Sequence, residues 1–292
     1  MKLGWMRAGN ARRLSGPENR DAIVQADALG MRQIHLPDLD LDDVSQLPKT
    51  SHTRIGVSIG VDPRRSPRKL ERCLRHALDR LDGRLVLAVE ADTSPKSFIV
   101  SQTIETLTTA TPSPLVTTDF PMHAPRPEVL SIPQIGQAPD MRRASAHGFH
   151  CLSPAWQTRA DISRHWPEIV AGATHALRRA RPSTWHVARC VFVSDDRNEV
   201  AAYCAGVAAL YLNHGITTGT DPASLVIAGP ATDVAAKLME LRARVGPFGV
   251  LQCLDPGLEA REGICQRERL VRQVLPALAP AIHFNEKELE RT

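Results

Sequence analysis

The sequence predicts an α/β protein folded as a (β/α)8 TIM barrel. Three observations carry that prediction. First, residues 53–92, TRIGVSIGVDPRRSPRKLERCLRHALDRLDGRLVLAVEAD, read as strand, helix, strand, and two parallel strands joined by a helix form a right-handed βαβ unit. Second, strand and helix patterns alternate from one end of the chain to the other without a composition break, giving about seven or eight strands, which favours a closed barrel over an open sheet. Third, neither a GxGxxG nor a GxxxxGK[ST] motif occurs, which removes the common open-sheet nucleotide folds.

The 53–92 unit is the best defined. Residues 55–61 are small and β-branched, as in a strand covered on both faces. Asp62 to Arg65 break the run, Ser66 suits an N-cap, and Pro67 suits the first helical position, where its missing N–H costs nothing. Leu70, Cys73, Leu74, Ala77, Leu78 and Leu81 recur at helical spacing, and Gly83 ends the helix. Leu85 to Val89 is a short apolar strand that stops at Glu90, Ala91 and Asp92. In such sheets ligands bind beyond the C-terminal ends of the strands, so that face is where a site is expected.

The other elements follow in order. Residues 2–6 form a first strand ending near Arg7. Ser15, Gly16 and Pro17 open a helix through Leu29, with Ala22, Ile23, Ala26 and Leu29 inward and Gly30 at its end. Gln33 to Leu36 is a second strand, followed by the acidic run Asp38, Asp40, Asp42 and Asp43. Residues 93–128 are the least regular: a helix is expected over 97–107, then a loop rich in proline. Val129 to Ile135 forms a strand, Pro139 to His147 a helix closed by Gly148, and Phe149 to Leu152 a strand. Pro167 opens a helix to about Ala180. Trp185 to Val193 is a strand. Asp196 and Glu199 resemble a capping box opening an Ala-rich helix to about Leu212. Residues 213–228 read as a loop with a short extended piece, Ala231 to Val245 as a helix with Val234, Leu238 and Leu241 inward, Phe248 to Leu254 as the last strand, and Arg267 to Leu275 as the last helix.

Bulk properties narrow the function. The 292 residues, 42% hydrophobic and 23% charged, suit one globular domain spanning 1–292. A net charge of +4 with 4% aromatics gives no nucleic-acid footprint. No apolar run approaches the roughly 18 residues of a membrane span. None of the six cysteines forms a CxxC pair, and they read as free thiols, mostly buried. With no signal-peptide core at the N-terminus, a reducing cytoplasm is expected. His147 and His150 lack a third ligand at metal spacing, so no metal is expected. His35, alternating with Ile34 and Leu36, reads as a packed histidine, and no GxSxG elbow or cysteine-nucleophile signature is present.

Four stretches together resemble the bacterial luciferase-like flavin-dependent monooxygenases. ENRDAIVQADALGMRQIHLPDLD is similar to that family's first helix and second strand. RSPRKLERCLRHALDRLDGRLVLAVEAD is similar to its third helix through fourth strand. STWHVARCVFVSDDRNEVAAY resembles its seventh strand, and VIAGPATDVAAKLMELRARVGPFGVLQCL its eighth-helix segment. The resemblance implies a TIM barrel that takes reduced FMN, or in one branch the deazaflavin F420, at its C-terminal face, adds O2 and oxygenates an organic substrate, with a flavin reductase supplying reduced FMN.

The resemblance also assigns residues. Asp38 stands where family members carry an acid, and Leu39 and Asp40 follow where they carry histidine. Glu90 and Asp92 occupy positions after the fourth strand that are often Gly, and either could act as a base or pair with Arg7, Arg64 or Arg65. Ser58 lies where the family often has a strained peptide under the flavin ring. Gln137, Ala138, Pro139 and Asp140 occupy the flavin-phosphate turn. Trp5 either lines the pocket or belongs to the core. The lost histidine, the added acids and the shortened loops also fit a second expectation: a non-catalytic partner subunit with weak or no flavin binding, paired with a catalytic luciferase-like chain. The dimer is accordingly homo or hetero.

Overall fold

The computed structural model describes residues 1–8, 15–36, 47–58, 67–90, 128–132, 139–213 and 225–278. The helix expected over 97–107, the acidic run at 38–43, the Ser66 cap and the turn at 133–138 lie outside them. The described strands are β1 (Lys2–Arg7), β2 (Gln33–Leu36), β3 (Arg54–Ser58), β4 (Leu85–Glu90), β5 (Glu128–Ile132), β6 (His150–Ser153), β7 (Trp185–Val193), β8 (Val226–Gly229) and β9 (Val250–Asp255). The described helices are α1 (Gly16–Ala28), α2 (Pro67–Arg80), α3 (Pro139–His147), α4 (Arg159–Ser163), α5 (His165–His175), α6 (Arg197–Asn213), α7 (Ala231–Val245) and α8 (Ala260–Arg269), the last running on into a π-helical turn, Leu270–Val274.

Every strand pairing is parallel. β1 to β7 pair in chain order, β7 pairs with β9, and β9 pairs with β1, so eight strands form a circuit that returns to its start. β8 stands outside that circuit and, among the described strands, pairs with Cys190–Val193 of β7 alone. Cys190 is in register with Leu254 of β9 as well as with Val226 of β8, so the two flank β7 on opposite edges. The nine-residue length of β7 allows this: its first half closes the barrel and its last turns of pleat carry β8 above the rim. The short extended piece expected within 213–228 is β8.

Strand alternation sorts the core into two layers. The outward layer holds Trp5, Ile34, Ile55, Leu85, Val187 and Leu251, which meet helix residues such as Ile23, Leu78, Ile169 and Leu238. Inside the barrel, Met6, Val86, Leu130, Leu152 and Ala188 form a second cluster. The interior also contains polar side chains, because Gly4 and Gly56 leave room for them. A Cβ on Gly4 would overlap the Gln252 amide, and one on Gly56 would lie 2.5 Å from His35 Nδ1. Gln252 Nε2 donates to His186 Nδ1 at 3.0 Å. His186 Nε2 must then hold the proton it shares with His150 Nδ1 at 3.1 Å. His35 is packed as its strand position implies, 2% exposed.

Two helices differ from the sequence expectation. The helix expected from Pro167 to Ala180 is a pair. α4 starts eight residues earlier, under a capping box in which Thr158 Oγ1 accepts from the Asp161 N–H at 3.1 Å and donates to Asp161 Oδ2 at 2.6 Å. Pro167 lies in the first turn of α5, where it costs no hydrogen bond, and α5 ends at His175, followed by Leu177 with φ 55°. The last helix begins at Ala260 rather than Arg267. The capping box read at Asp196 and Glu199 is not closed as expected. Asp196 Oδ1 accepts from the Asn198 N–H, but Glu199 takes the Ser194 hydroxyl, and Ser194 Oγ accepts the Asp196 N–H. Gly83, with φ 72°, ends α2 as expected.

Candidate active site at the barrel mouth

Because all strands run parallel, their C-terminal ends share one rim. Ser58 ends β3, Glu90 ends β4 and Asp140 is the second residue of α3, so their backbones stand on that rim. Asp38, Asp92, Gln137 and Ala138 lie outside the described residues. Trp5 belongs to the helix-facing layer, 2% exposed, with the Arg267 guanidinium 5.2 Å from its ring centroid.

The structure adds an ion pair that joins the first and last barrel strands. Arg7 Nη1 donates to Asp255 Oδ2 at 2.7 Å, with both side chains buried. The other oxygen, Oδ1, accepts the N–H groups of Gly257 at 2.8 Å and Leu258 at 2.7 Å. Sequence reading offered Arg7 only as a partner for Glu90 or Asp92, and a separation of 248 residues leaves no local signal for Asp255.

Toward the C-terminal end of β7, aromatic side chains pack into a buried cluster. Cys190 and Phe192 keep the inward alternation of His186 and Ala188, and α6 packs Tyr203, Val207 and Tyr211 against them. Phe192 and Tyr203 stack with ring centroids 4.4 Å apart. Tyr211 Oη lies 3.4 Å from Cys190 Sγ. Burial pushes the Cys190 thiol up to about 11 against the smaller opposing pull of the Tyr211 hydrogen bond and Arg189, and burial raises both phenols well above the usual tyrosine range. These groups are therefore neutral hydrogen-bond donors near neutral pH, and the cysteine is no thiolate. Trp156, from the loop after β6, packs on the same cluster. Among the described residues its Nε1 is buried without a hydrogen-bond partner, and the Tyr203 hydroxyl is buried with the Cys190 thiol as its weak partner.

Arg189 positions that loop. Its guanidinium donates to the carbonyls of Ala188 at 2.9 Å, Gln157 at 3.0 Å, and Pro154 and Ala155 at 3.3 Å. Burial lowers its pKa to about 10, so it remains a cation at neutral pH. Ser153 and His165, 2.7 Å apart, suggest a nucleophile pair by type. However, both are buried, and Ser153 Oγ already accepts from Trp185 Nε1 at 2.9 Å. Burial, opposed by Asp161 and reinforced by Arg189, brings the His165 imidazole down to about 4, so the pair is a neutral part of the packing. No group of three metal-ligating side chains occurs among the described residues. No described helix is long and apolar enough to cross a membrane.

No protein-family profile matches the chain, and no curated protein sequence matches it. Solved structures do. The oxygenating constituent of 3,6-diketocamphane monooxygenase from Pseudomonas putida, a type II Baeyer-Villiger monooxygenase in complex with FMN, superposes with a TM-score of 0.74 at 17% identity, covering 94% of this chain and 99% of its own. A monooxygenase from Streptomyces bottropensis gives 0.70 at 14% identity, covering 94% and 99%. The coenzyme F420 dependent tetrahydromethanopterin reductase from Methanopyrus kandleri gives 0.68 at 15% identity, covering 95% and 99%. In fold, the chain is a (β/α)8 barrel of the kind these three structures share.

Proposed function

We propose that the chain is a flavin-dependent oxidoreductase of the monooxygenase kind, which takes reduced FMN at the barrel mouth and uses O2 on a small organic substrate. The observation that carries this reading is the orphaned donor Trp156 Nε1, beside the Tyr203 hydroxyl in an aromatic cluster on the C-terminal side of a barrel with this fold. Buried donors without partners cost about 1–3 kcal/mol each, and an acceptor-rich planar ring removes that cost. The residues present thus fit a flavin. When bound, reduced flavin would supply two electrons and the reactivity toward O2. The chain's own part is to hold the ring, donate hydrogen bonds from Trp156 and Tyr203, and exclude water with Phe192, Tyr203 and Tyr211. Arg189 serves indirectly, by fixing the loop that carries Trp156.

The stacked Phe192–Tyr203 plug favours a second reading, a non-catalytic subunit that supports a catalytic luciferase-like chain. Anaerobic titration of the purified chain with reduced FMN, read by calorimetry, separates the two. Low-micromolar binding supports the enzyme, and Tyr203→Phe then weakens it about tenfold through the lost hydrogen bond. Absence of binding up to about a millimolar, where roughly 4 kcal/mol of affinity remains, overturns the enzyme reading. Reduced F420, titrated in the same way, decides which flavin is preferred.

A further inference from the structure

A cleft lies on the helix-facing side of β1 and β2, between α1 and α8, with about 440 Å³ of empty space that includes its opening to solvent. Its walls are mainly apolar: Trp5, Ile34, Leu36 and Ile264. At its floor Arg7 and Asp255 are already engaged: Arg7 Nη1 donates to Asp255 Oδ2 and to the Leu258 carbonyl, and Asp255 Oδ1 accepts two backbone N–H groups. Arg267 is different. It is only 4% exposed, yet among the described residues its one hydrogen bond runs from Nε to Gln25 Oε1 at 2.7 Å. No carboxylate among the described residues lies within ion-pair distance of it. Burial lowers its pKa to about 10, against the pull of Asp255, so the guanidinium stays charged near neutral pH. Trp5 covers its flat face at 5.2 Å, which leaves the edge with Nη1 and Nη2 for the cleft. Gly263 keeps this edge clear, since a Cβ there would lie 3.5 Å from Arg267 Nη1 and further side-chain atoms would enter the space.

We propose that this cleft binds a small organic monocarboxylate, its carboxylate on the Nη edge of Arg267 and its apolar body against Trp5, Ile34, Leu36 and Ile264. The forked guanidinium edge matches a carboxylate bidentately. Glu18 and Asp21 line the same cleft and repel a multiply charged anion more than a single carboxylate, which disfavours phosphate. The site is independent of the flavin reading, since none of these walls belongs to the barrel interior.

The test is calorimetry on the full chain with hexanoate, hexanol and inorganic phosphate at matched ionic strength. Hexanoate is expected to bind at least about tenfold more tightly than either control, as a charge-assisted bidentate pair implies. Arg267→Met is expected to abolish the preference for hexanoate over hexanol. Should that variant fail to fold, Gly263→Leu keeps the cation and fills the space, and is expected to lose hexanoate binding without loss of thermal stability. No hexanoate binding to the wild type, equal binding of phosphate or of hexanol, or unchanged binding in Gly263→Leu each overturns the proposal.

Discussion

Single residues carry much of what distinguishes this barrel from a generic one. Asp255 is buried with Arg7 and with two backbone N–H groups. Asp255→Ala strands a buried guanidinium and two donors, so a loss of about 3–5 kcal/mol is expected in urea unfolding. The double variant Arg7→Met with Asp255→Ala is expected to recover part of that, and a cycle without coupling would show that the pair is not energetically joined. His35 and His165 are buried and their imidazoles are held down to about 4, for both chiefly by burial. The unfolded chain binds protons there near 6.5 and the native one does not. Stability is therefore fully present above about pH 7 and falls as the pH drops through 6.5 toward 4, by roughly 2–3 kcal/mol per histidine at pH 4.5. Urea unfolding across that range checks the slope, and His165→Asn should flatten it.

At the scale of elements, the sequence was most legible where the pattern was local. β2, β7, α3 and α7 begin and end where alternation, helical spacing and glycine stops place them. α4 was not legible, because its Thr158–Asp161 capping box precedes a run too short to show a period. Its predicted consequence is specific: Thr158→Ala should cost about 1 kcal/mol in urea unfolding, and no change would mean that packing against α7 alone holds α4. The start of α8 was hidden for a related reason. Its first turns are polar on most faces, with only Gly263, Gln266 and Arg267 buried, so apolar spacing becomes visible only at Leu270. The candidate site was half legible. The rim position of Glu90 followed from a strand end, whereas Ser58 was singled out by the family resemblance within a strand expected over 55–61. The Trp156–Tyr203 pair, Arg189 and the Arg7–Asp255 bridge join distant segments and leave no mark in any one of them.

At the scale of the molecule, the barrel closes through β1 and β9, paired from Lys2 with Val250 to Arg7 with Asp255. This is the pairing of longest sequence separation in the sheet, and its loop-closure entropy is lost before its contacts are gained. Pulse-labelled hydrogen exchange during refolding should therefore protect the amides of β1 and β9 late. Early protection there, before β3 and β4, would show that closure nucleates folding instead.

That closure also has a meaning during synthesis. The first strand leaves the ribosome with one of its two hydrogen-bonding edges lacking a partner, and the strand that will cover it is translated 248 residues later. At about 5–20 residues per second the gap lasts on the order of 10–50 seconds. Throughout it the nascent chain presents a bare strand edge beside an apolar face, the kind of surface that chaperones hold, so the cellular yield of this protein should depend more on their supply than on its final stability.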